Sequence, residues 1–314
     1  MDEVAVSEAN ILDRFRLDGR VAVVTGGGTG IGRAIAHGLS DAGADVVVAG
    51  RRRGPLDQVV AEIAGRGRRA LAITADVTSE TAMTELAEAA ASFGPLWIWV
   101  NNAGGLQGES MGPLADTSVA SWHTTFDRNL TSVFLSARVA LPRMHEGGAM
   151  LNLSSTATAT RGAPTHGVYS AAKVALNHLT QTMALELAPR RIRVNAIAPG
   201  HTQTADYEQS SGFTDAQFAK LGSKQPLGRL GSDQDFAAAA VYLCSDASSW
   251  VTGQTLFVSG TPYGRYEGTQ ENSVCGDLGG FGSVLGNSVV LLVVGGGVFG
   301  KLELQQSSVV PEAA

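Results

Sequence analysis

Residues 21–32 read VAVVTGGGTGIG, and this stretch decides the fold. Its first four residues form a short apolar, β-branched run of the kind found in buried parallel strands. The glycines that follow predict a tight turn into a helix beginning near Gly30, with the spacing Gly-x-x-x-Gly-x-Gly at Gly26, Gly30 and Gly32. Such a turn brings backbone N–H groups and a helix N-terminus against a pyrophosphate, where a Cβ would obstruct. The alternative interpretation is a glycine-rich turn without a ligand.

Strand and helix patterns alternate along the rest of the chain, which predicts βαβ units around a parallel sheet. The glycine turn and three other segments follow predicted strands, at the edge where such sheets bind ligands. The predicted strands are 21–25, 45–50, 69–74, 96–101, 149–154, 193–198 and 254–258. The predicted helices are 30–42, 55–66, 80–93, 118–142, 167–188 and 234–245.

Tyr169 and Lys173 are four residues apart in a predicted helix and therefore share one of its faces. An ammonium near a phenol favours the phenolate and lowers the pKa of the tyrosine. Lowering that pKa from about 10 to about 7 needs roughly 4 kcal/mol, which a nearby lysine and a cationic cofactor ring could largely supply. The pair therefore predicts a general acid/base, although the same spacing arises by chance in many helices.

Six motifs in a fixed order together resemble the short-chain dehydrogenase/reductase family. The resemblance covers roughly residues 15–260, and the segments 11–20 and 226–231 resemble bacterial hydroxysteroid dehydrogenases and general ketone reductases. It implies one Rossmann-like α/β domain with a doubly wound sheet of seven parallel strands, a nicotinamide cofactor, and a homotetramer or homodimer. The motifs are Thr25–Gly32, Asn101-Asn102-Ala103-Gly104, Asn129, Ser154-Ser155, Tyr169 to Lys173, and Pro199-Gly200.

The resemblance also implies roles for individual residues. Tyr169 would be the general acid/base, Lys173 would bind the nicotinamide ribose and stabilise the phenolate, and Ser155 would orient the substrate oxygen. Asn129 resembles the asparagine that supports a proton-relay water, although by itself it could be an ordinary polar helix residue. The expected cofactor-binding residues are Gly26, Thr29, Gly30, Ile31, Gly32, Arg51, Arg52, Asp76, Val77, Asn102, Ala103, Gly104, Tyr169, Lys173, Pro199, Gly200, Thr202 and Thr204.

The spacing of the serine departs from the family pattern. Relatives commonly place it thirteen residues before the tyrosine, whereas Ser155 lies fourteen before Tyr169 and Thr156 lies thirteen before it. By its position after the strand we choose Ser155 and keep Thr156 as its rival. A further alternative is that Ser154 and Ser155 only bond the backbone at the strand end.

The segment after the second strand predicts the type of nicotinamide cofactor. An NAD-preferring site usually has an acidic residue there for the ribose 2′-hydroxyl, whereas this chain has Gly50 followed by Arg51. Because arginine binds a phosphate bidentately, we expect NADP(H) to be favoured, with NAD(H) as the other possibility. The alternative is a solvated loop of arginines. Asp76 resembles the family's adenine-contacting aspartate, or else is an N-cap of the next helix.

Composition excludes several other classes of protein. The 314 residues carry a net charge of −6, which gives no indication of nucleic-acid binding. Two cysteines make no disulfide framework, and the acidic N-terminus is no secretory signal, which together fit a cytoplasmic protein. No apolar run is long enough to span a membrane, and no cluster has metal-ligand spacing. A small carbonyl or alcohol substrate is expected.

The resemblance ends after residue 260, and the chain therefore divides into a lead-in at 1–14, a catalytic domain at 15–262 and an extension at 263–314. Residues 201–232 stand where the family has a substrate lid. The extension is rich in Gly, Ser and Val and contains the apolar run 289–294; it is either a poorly ordered appendage or a segment that docks on the domain.

The expected activity is an NADP(H)-dependent oxidoreduction between a secondary alcohol and a ketone. Two other functions stay open. The first is reduction of a C=C bond in an enoyl thioester, because Gly104-Gly105 occurs in such relatives. The second is a non-catalytic nucleotide-binding or regulatory protein, which would bind the cofactor without turnover.

Overall fold

The computed structural model describes residues 10–106, 108, 111–159, 165–204, 207–208 and 213–261. The chain divides into two units, Met1–Gly268 and Thr269–Ala314. The second unit, its apolar run 289–294 and the predicted boundary at residue 262 lie outside the described residues. The division of the chain derived from the sequence therefore stays a prediction.

The described residues form a Rossmann-like α/β domain built on a parallel sheet of seven strands. All seven predicted strands are present, with ends within one residue of the predicted positions. The strands are β1 (Val21–Thr25), β2 (Asp45–Gly50), β3 (Ala70–Thr74), β4 (Leu96–Asn101), β5 (Ala149–Leu153), β6 (Arg193–Pro199) and β7 (Thr255–Val258). Their order across the sheet is β3-β2-β1-β4-β5-β6-β7, so the winding direction reverses between β1 and β4, where such sheets bind ligands.

Strand β1 lies at the centre of the sheet. All five of its residues are buried, because β2 and β4 flank it and helices cover both faces. Its pairing begins with Val21 opposite Asp45 in β2 and Leu96 in β4. A continuous apolar strand is therefore required here rather than an alternating one.

Helices pack on both faces of the sheet and create two apolar cores. Helices α1, α2 and α8 cover one face with Ile35, Leu56 and Phe236, and α3, α5 and α6 cover the other face with residues such as Met83 and Met183. The helices are α1 (Gly30–Asp41), α2 (Arg53–Ala64), α3 (Glu80–Phe93), α4 (Val119–Phe126), α5 (Ser132–Ala140), α6 (Gly167–Leu187), α7 (Asp215–Ser223) and α8 (Gln234–Cys244).

The single helix predicted over 118–142 is interrupted. A π-helical turn at Asp127–Thr131 separates α4 from α5, and it contains the buried Asn129. Side chains compete for the backbone carbonyls there, because the Asn129 amide donates to Thr125 O at 3.0 Å and the Ser132 hydroxyl donates to Arg128 O at 2.9 Å. Periodicity alone missed the turn because a single π-helical turn lies between two helical segments and has no distinct sequence period of its own.

The predicted lid, 201–232, contains a helix that the prediction missed. Helix α7 begins after a capping box in which Thr214 and Gln217 each satisfy a backbone N–H of the other. The sequence pattern Thr-x-x-Gln is a signal for such a start, but the small and polar residues around it hid the helical period.

The end of the lead-in is ordered against the domain. A 3₁₀ helix at Ile11–Phe15 precedes β1, and the Arg14 guanidinium donates to Asp246 O at 2.9 Å and to the Ser249 hydroxyl at 2.8 Å. These contacts hold residues 10–15 against the segment that follows α8. In the described part of the chain, no helix combines the length and hydropathy that a membrane span requires.

Candidate active site

Four motifs meet at the carboxyl edge of the sheet. The glycine turn follows β1, Asn102-Ala103-Gly104 follows β4, Ser154-Ser155 follows β5, and Gly200 follows β6. Because the strands are parallel, all four lie at one edge, on both sides of the point where the winding reverses. The structure thus brings together four motifs that the sequence analysis identified as candidate parts of one site.

The glycine turn is packed too closely to accept side chains. A Cβ on Gly32 would overlap the Gly26 carbonyl oxygen and the Nδ2 atom of Asn102. Gly26 has φ +65° and Gly30 has φ +50°, which L side chains rarely adopt. Thr29 is the N-cap residue of α1 and Ile31 is in its first turn. The N–H groups of that turn have no partner within the helix and lie at this cradle. A pyrophosphate fits such a surface, because the dipole and the free N–H groups favour negative charge.

Thr25 and Asn102 hold the end of β1 against the end of β4. The Thr25 hydroxyl donates to Val100 O at 3.1 Å and accepts from the backbone N–H groups of Asn102 at 3.1 Å and Ala103 at 3.2 Å. The Asn102 amide donates to Thr25 O at 2.9 Å and to Gly26 O at 3.2 Å. The cradle is therefore fixed from both strands.

The segment after β6 returns to the glycine turn. The Thr204 Cβ lies 3.6 Å from the position that a Cβ on Gly30 would take. The Thr202 hydroxyl donates to Gly200 O at 2.9 Å, and a β-bridge joins Thr202 to Gly231. A Cβ on Gly200 would overlap the Ser259 hydroxyl, so the chain can pass this point after β6 only with a glycine. Pro199 is the last residue of β6.

Asp76 and Arg51 lie near each other beyond β3 and β2. The Asp76 carboxylate accepts from the backbone N–H of Thr78 at 2.9 Å and from its hydroxyl at 2.8 Å. These bonds hold the pKa of Asp76 below its usual range, and the charges of Arg51 and Arg128 lower it further. The alternative that Asp76 is the N-cap of α3 is wrong, because the Ser79 hydroxyl takes that place.

Arg51 and Arg52 are both exposed and follow the end of β2 directly. Arg52 occupies the N-cap position of α2, whereas the next arginine, Arg53, pairs with Asp57 at 2.8 Å. Val77 is partly buried beside Asp76. An exposed guanidinium at this place can reach a ligand bound along the edge of the sheet.

Lys173 is almost completely buried in α6. Its Nζ donates to Leu153 O, the last carbonyl of β5, at 2.6 Å and lies 5.7 Å from the centre of the Tyr169 ring. Burial lowers the pKa of Lys173 to about 7. The buried ammonium is thus held at a fixed point and titrates near neutral pH.

The pKa of Tyr169 differs from the expectation that a lysine lowers it. Burial raises the pKa of the phenol, and a hydrogen bond with the Ser155 side chain opposes that rise only in part. The Lys173 ammonium is engaged with Leu153 O and does not offset the desolvation. Sequence reasoning counted the neighbouring charge but could not weigh the burial of the ring.

The serine that contacts the tyrosine is Ser155. Its hydroxyl also accepts from the Ala157 backbone N–H at 3.1 Å and thereby caps a short 3₁₀ turn, Thr156–Thr158. Ser155 therefore also bonds the backbone, as the alternative interpretation expected. The same hydroxyl contacts both the Ala157 N–H and the Tyr169 phenol. Thr156 is buried, and the buried Ser154 hydroxyl has no hydrogen-bond partner among the described residues.

Asn129 connects the π-helical turn to the loop after β4. Its Oδ1 accepts from the Gly105 N–H at 2.9 Å, and its Nδ2 donates to Thr125 O and, at 3.3 Å, to Gly105 O. A Cβ on Gly104 would lie 2.9 Å from the Asn129 Oδ1. Asn129 therefore shapes the loop that continues from Asn102 and Ala103.

Two histidines that the sequence did not single out lie beside this site. His166 is the N-cap residue of α6, three positions before Tyr169, and His201 directly follows Gly200. Burial lowers the pKa of both imidazoles, and proximity to His166 lowers that of His201 further. Only their positions next to Tyr169 and Pro199-Gly200 could have indicated these histidines from the sequence, since a single histidine forms no recognisable motif.

The aromatic residues of the lid form one cluster. Tyr207 lies edge-on to Phe213 at 6.2 Å and to Phe218 at 5.7 Å between ring centres, and Phe218 is buried.

No group of three or more potential metal ligands occurs within the described residues.

Comparison with known proteins places the chain in a family. The family profile described as enoyl-(acyl carrier protein) reductase matches residues 26–260. An uncharacterized oxidoreductase of Mycobacterium tuberculosis is 44% identical over 256 residues, which are 80% of this chain and 94% of that protein. The chain belongs to the short-chain dehydrogenase/reductase family.

Solved structures of this family carry both kinds of nicotinamide cofactor. A 7alpha-hydroxysteroid dehydrogenase in complex with NADH and 7-oxo glycochenodeoxycholic acid has a TM-score of 0.73 and 39% identity, covering 79% of this chain and 96% of its own. A blue fluorescent protein from a metagenomic library, in complex with NADPH, has a TM-score of 0.71 and 30% identity, covering 78% and 98%. A nicotinamide cofactor is thus supported for this short-chain dehydrogenase/reductase.

The predicted fold, family and enzyme class are confirmed by these comparisons. The protein is an oxidoreductase of the short-chain dehydrogenase/reductase family, in the class of NAD(P)-dependent dehydrogenases and reductases acting on CH–OH groups. The roles of individual site residues stay predictions, since the comparisons concern whole chains.

Replacing Gly32 by alanine should weaken cofactor binding by about tenfold or more, because the added Cβ overlaps the Gly26 carbonyl and the Asn102 amide. Fluorescence titration of the variant with NADPH and NADH measures this. Gly54→Ala is the matched control, because no heavy atom lies within 4 Å of its Cβ position in α2. Wild-type affinity in Gly32→Ala would contradict the close-packed cradle.

Ser155→Ala should reduce turnover by about 100-fold, because the substrate oxygen loses a hydrogen-bond donor beside Tyr169. Thr156→Ala should retain most of the activity. Steady-state rates of the two variants, with melting temperatures as the check on folding, decide between the residues. Loss of turnover only in Thr156→Ala would show that the choice of Ser155 is wrong.

Proposed function

We propose that the protein is an NADP(H)-dependent oxidoreductase that interconverts a secondary alcohol and a ketone. The observation that carries this proposal is the contact of Ser155 with the phenol of Tyr169, one helical turn from the buried Lys173. This trio lies at the same edge of the sheet as the cradle formed by Gly26 and Gly32. A nucleotide in the cradle would therefore extend toward the tyrosine.

The burial of Tyr169 suits proton donation in the direction of ketone reduction. Because burial raises the pKa of the phenol, the hydroxyl carries its proton at neutral pH. Ser155 would orient the substrate carbonyl oxygen, and Tyr169 would donate its proton to that oxygen. A reduced nicotinamide cofactor, when bound, would supply the hydride to the carbonyl carbon. In alcohol oxidation the same phenol oxygen would accept the proton from the substrate hydroxyl.

Lys173 would support the proton transfer from its fixed position on Leu153 O. Its ammonium would hydrogen-bond the nicotinamide ribose and stabilise the phenolate as the proton leaves. A lysine with a pKa near 7 can also exchange its own proton at neutral pH. Asn129 would hold a proton-relay water, and it also shapes the loop at Gly105 through its side-chain bonds.

The charge beside the second strand supports NADP(H) over NAD(H). Gly50 leaves no carboxylate for the ribose 2′-hydroxyl at the end of β2, and the exposed Arg51 is available for a 2′-phosphate. Arg52 would be the second arginine of this site. Asp76 would contact the adenine, with its carboxylate held by Thr78. NAD(H) stays the second candidate, because a relative of known structure binds NADH.

The lid supports an apolar substrate with a ring ketone or secondary ring alcohol. Tyr207, Phe213 and Phe218 cluster in the segment that follows Gly200. Relatives named for activity on ring compounds include a hydroxysteroid dehydrogenase, versicolorin reductases and a cis-4-hydroxycyclohexanecarboxylate dehydrogenase. Aromatic side chains bind such flat apolar surfaces through shape and dispersion.

Reduction of an enoyl thioester is the second candidate, because the matching family profile carries that description. The Ser155–Tyr169 contact supports carbonyl chemistry, since two neighbouring hydroxyls would both be able to bond one substrate oxygen. A panel of ring ketones, keto-sugars, β-ketoacyl thioesters and enoyl thioesters separates these activities. Cofactor binding without turnover on the whole panel would instead favour a nucleotide-binding protein.

The assembly and location of the enzyme follow the family expectation. We propose a homotetramer or homodimer in the cytoplasm. Large apolar side chains on the surface, such as Leu185 at 79% and Trp250 at 99% exposure, support contact between subunits.

Tyr169→Phe should lower kcat by about 1,000-fold, because the ring is kept while the proton donor is lost. The Kd for NADPH should stay unchanged. Absorbance of the reduced nicotinamide with the ketone panel measures kcat, and Tyr242→Phe in α8 is the matched control. Full activity in Tyr169→Phe would refute the proposed acid/base.

Arg51→Ala should raise the KM for NADPH by about tenfold or more, because a charge-assisted hydrogen-bonding group for the 2′-phosphate is removed. The KM for NADH should change little. Arg53→Ala is the control, since that guanidinium pairs with Asp57 on the surface of α2. An equal loss with both cofactors would argue against recognition of the 2′-phosphate.

A further inference from the structure

Four buried side chains form a continuous row of hydrogen bonds beneath the site. The indole Nε1 of Trp99 donates to the Asn101 Oδ1 at 3.0 Å, and the Asn101 Nδ2 donates to the Asn152 Oδ1 at 2.9 Å. The Asn152 Nδ2 donates to the Thr180 hydroxyl at 2.9 Å, which donates to Leu176 O at 2.8 Å. The row therefore runs from β4 through β5 into α6.

The direction of this row is fixed by its first member. An indole N–H can only donate, so the Asn101 side-chain oxygen must face Trp99 and its NH₂ must face Asn152. The same reasoning fixes the Asn152 amide toward Thr180, whose hydroxyl proton is left for Leu176 O. Trp99, Asn152 and Thr180 are completely shielded from solvent, so water cannot replace a lost partner.

The row ends on the helix that carries Tyr169 and Lys173. Asn152 binds α6 through its side chain at Thr180, and the next residue, Leu153, binds α6 through its carbonyl at Lys173. Lys173 and Thr180 are seven residues apart, which places both on one face of the helix, about two turns from each other. Two such attachments to consecutive residues of β5 fix the rotation and the axial position of α6.

We propose that Trp99, Asn101, Asn152 and Thr180 are positioning residues that set the placement of Tyr169 and Lys173 through helix α6. This role rests on the proposed catalytic function of that pair. The row touches neither the cradle at Gly32 nor Asp76, so its loss should slow the chemical step more than it weakens cofactor binding. None of the four residues would contact the substrate.

Three variants of α6 test this role. Thr180→Val keeps the shape and removes the hydroxyl, Thr180→Ser restores it, and Thr182→Val removes an exposed hydroxyl bonded to His178 O on the same helix. Single-turnover hydride transfer under saturating NADPH should slow by about tenfold or more in Thr180→Val, because small displacements of a catalytic group are costly. Thr180→Ser and Thr182→Val should keep the wild-type rate and KM. In Thr180→Val the KM for NADPH should change less than the rate, because the row leaves the cradle at Gly32 in place and affects the cofactor only through Lys173.

Either of two results would overturn the proposal. One is a wild-type rate in Thr180→Val; the other is an equal loss in Thr180→Val and Thr180→Ser, which would trace the effect to packing alone. If Thr180→Val does not fold, Trp99→Phe replaces it, because that variant removes the donor at the opposite end of the row. A wild-type rate in folded Trp99→Phe also overturns the proposal.

A readout without turnover separates this proposal from the proposed function. The Trp99 indole N–H resonance of the ¹⁵N-labelled protein, assigned with Trp99→Phe, should shift in Thr180→Val and stay in place in Thr182→Val. An unmoved resonance in Thr180→Val shows that the row is not coupled and overturns the inference. If no substrate is turned over by the wild-type enzyme, the proposed function fails, and the resonance still decides whether the row acts as a unit.

Discussion

The contact between the glycine turn and Asn102 is the constraint on which the site depends. The Asn102 amide binds the carbonyls of Thr25 and Gly26, and the backbone of Gly32 fills the space that remains. Because α1 must start there, the N–H groups of its first turn lie at the carboxyl end of β1. The loop after β4 is then held by Asn129, and so the cradle and the catalytic helices share one set of contacts.

Burial shifts the pKa values of Tyr169 and Lys173 more than neighbouring charge does. Lys173 is taken out of water and Tyr169 is partly buried, which favours the neutral form of each. The structure compensates by giving the Lys173 ammonium a carbonyl and the phenol a serine hydroxyl. A buried lysine that titrates near pH 7 is therefore a product of packing around α6, and the apolar core sets the reactivity of the polar site.

The alternating pattern of strands and helices in the sequence predicted the whole sheet, because every strand is a short, mostly apolar run that ends in a turn or polar motif. It also predicted which segments meet at the carboxyl edge. Three features depended on contacts between distant residues and were missed. These are the π-helical turn around Asn129, the raised pKa of Tyr169, and the proximity of His166 to His201. Helix α7 was missed for a local reason, since its capping box is short and its surroundings are polar.

The two ends of the described domain lie at opposite edges of the sheet. The lead-in contacts Asp246 and Ser249, at the edge where β1 and β7 begin. The chain leaves β7 at the other edge, where Thr261 donates to Gln225 in the lid at 2.7 Å. Thr261, the last described residue, is thus tied to the segment predicted to cover the substrate, whereas Arg14 is tied to the opposite edge of the sheet.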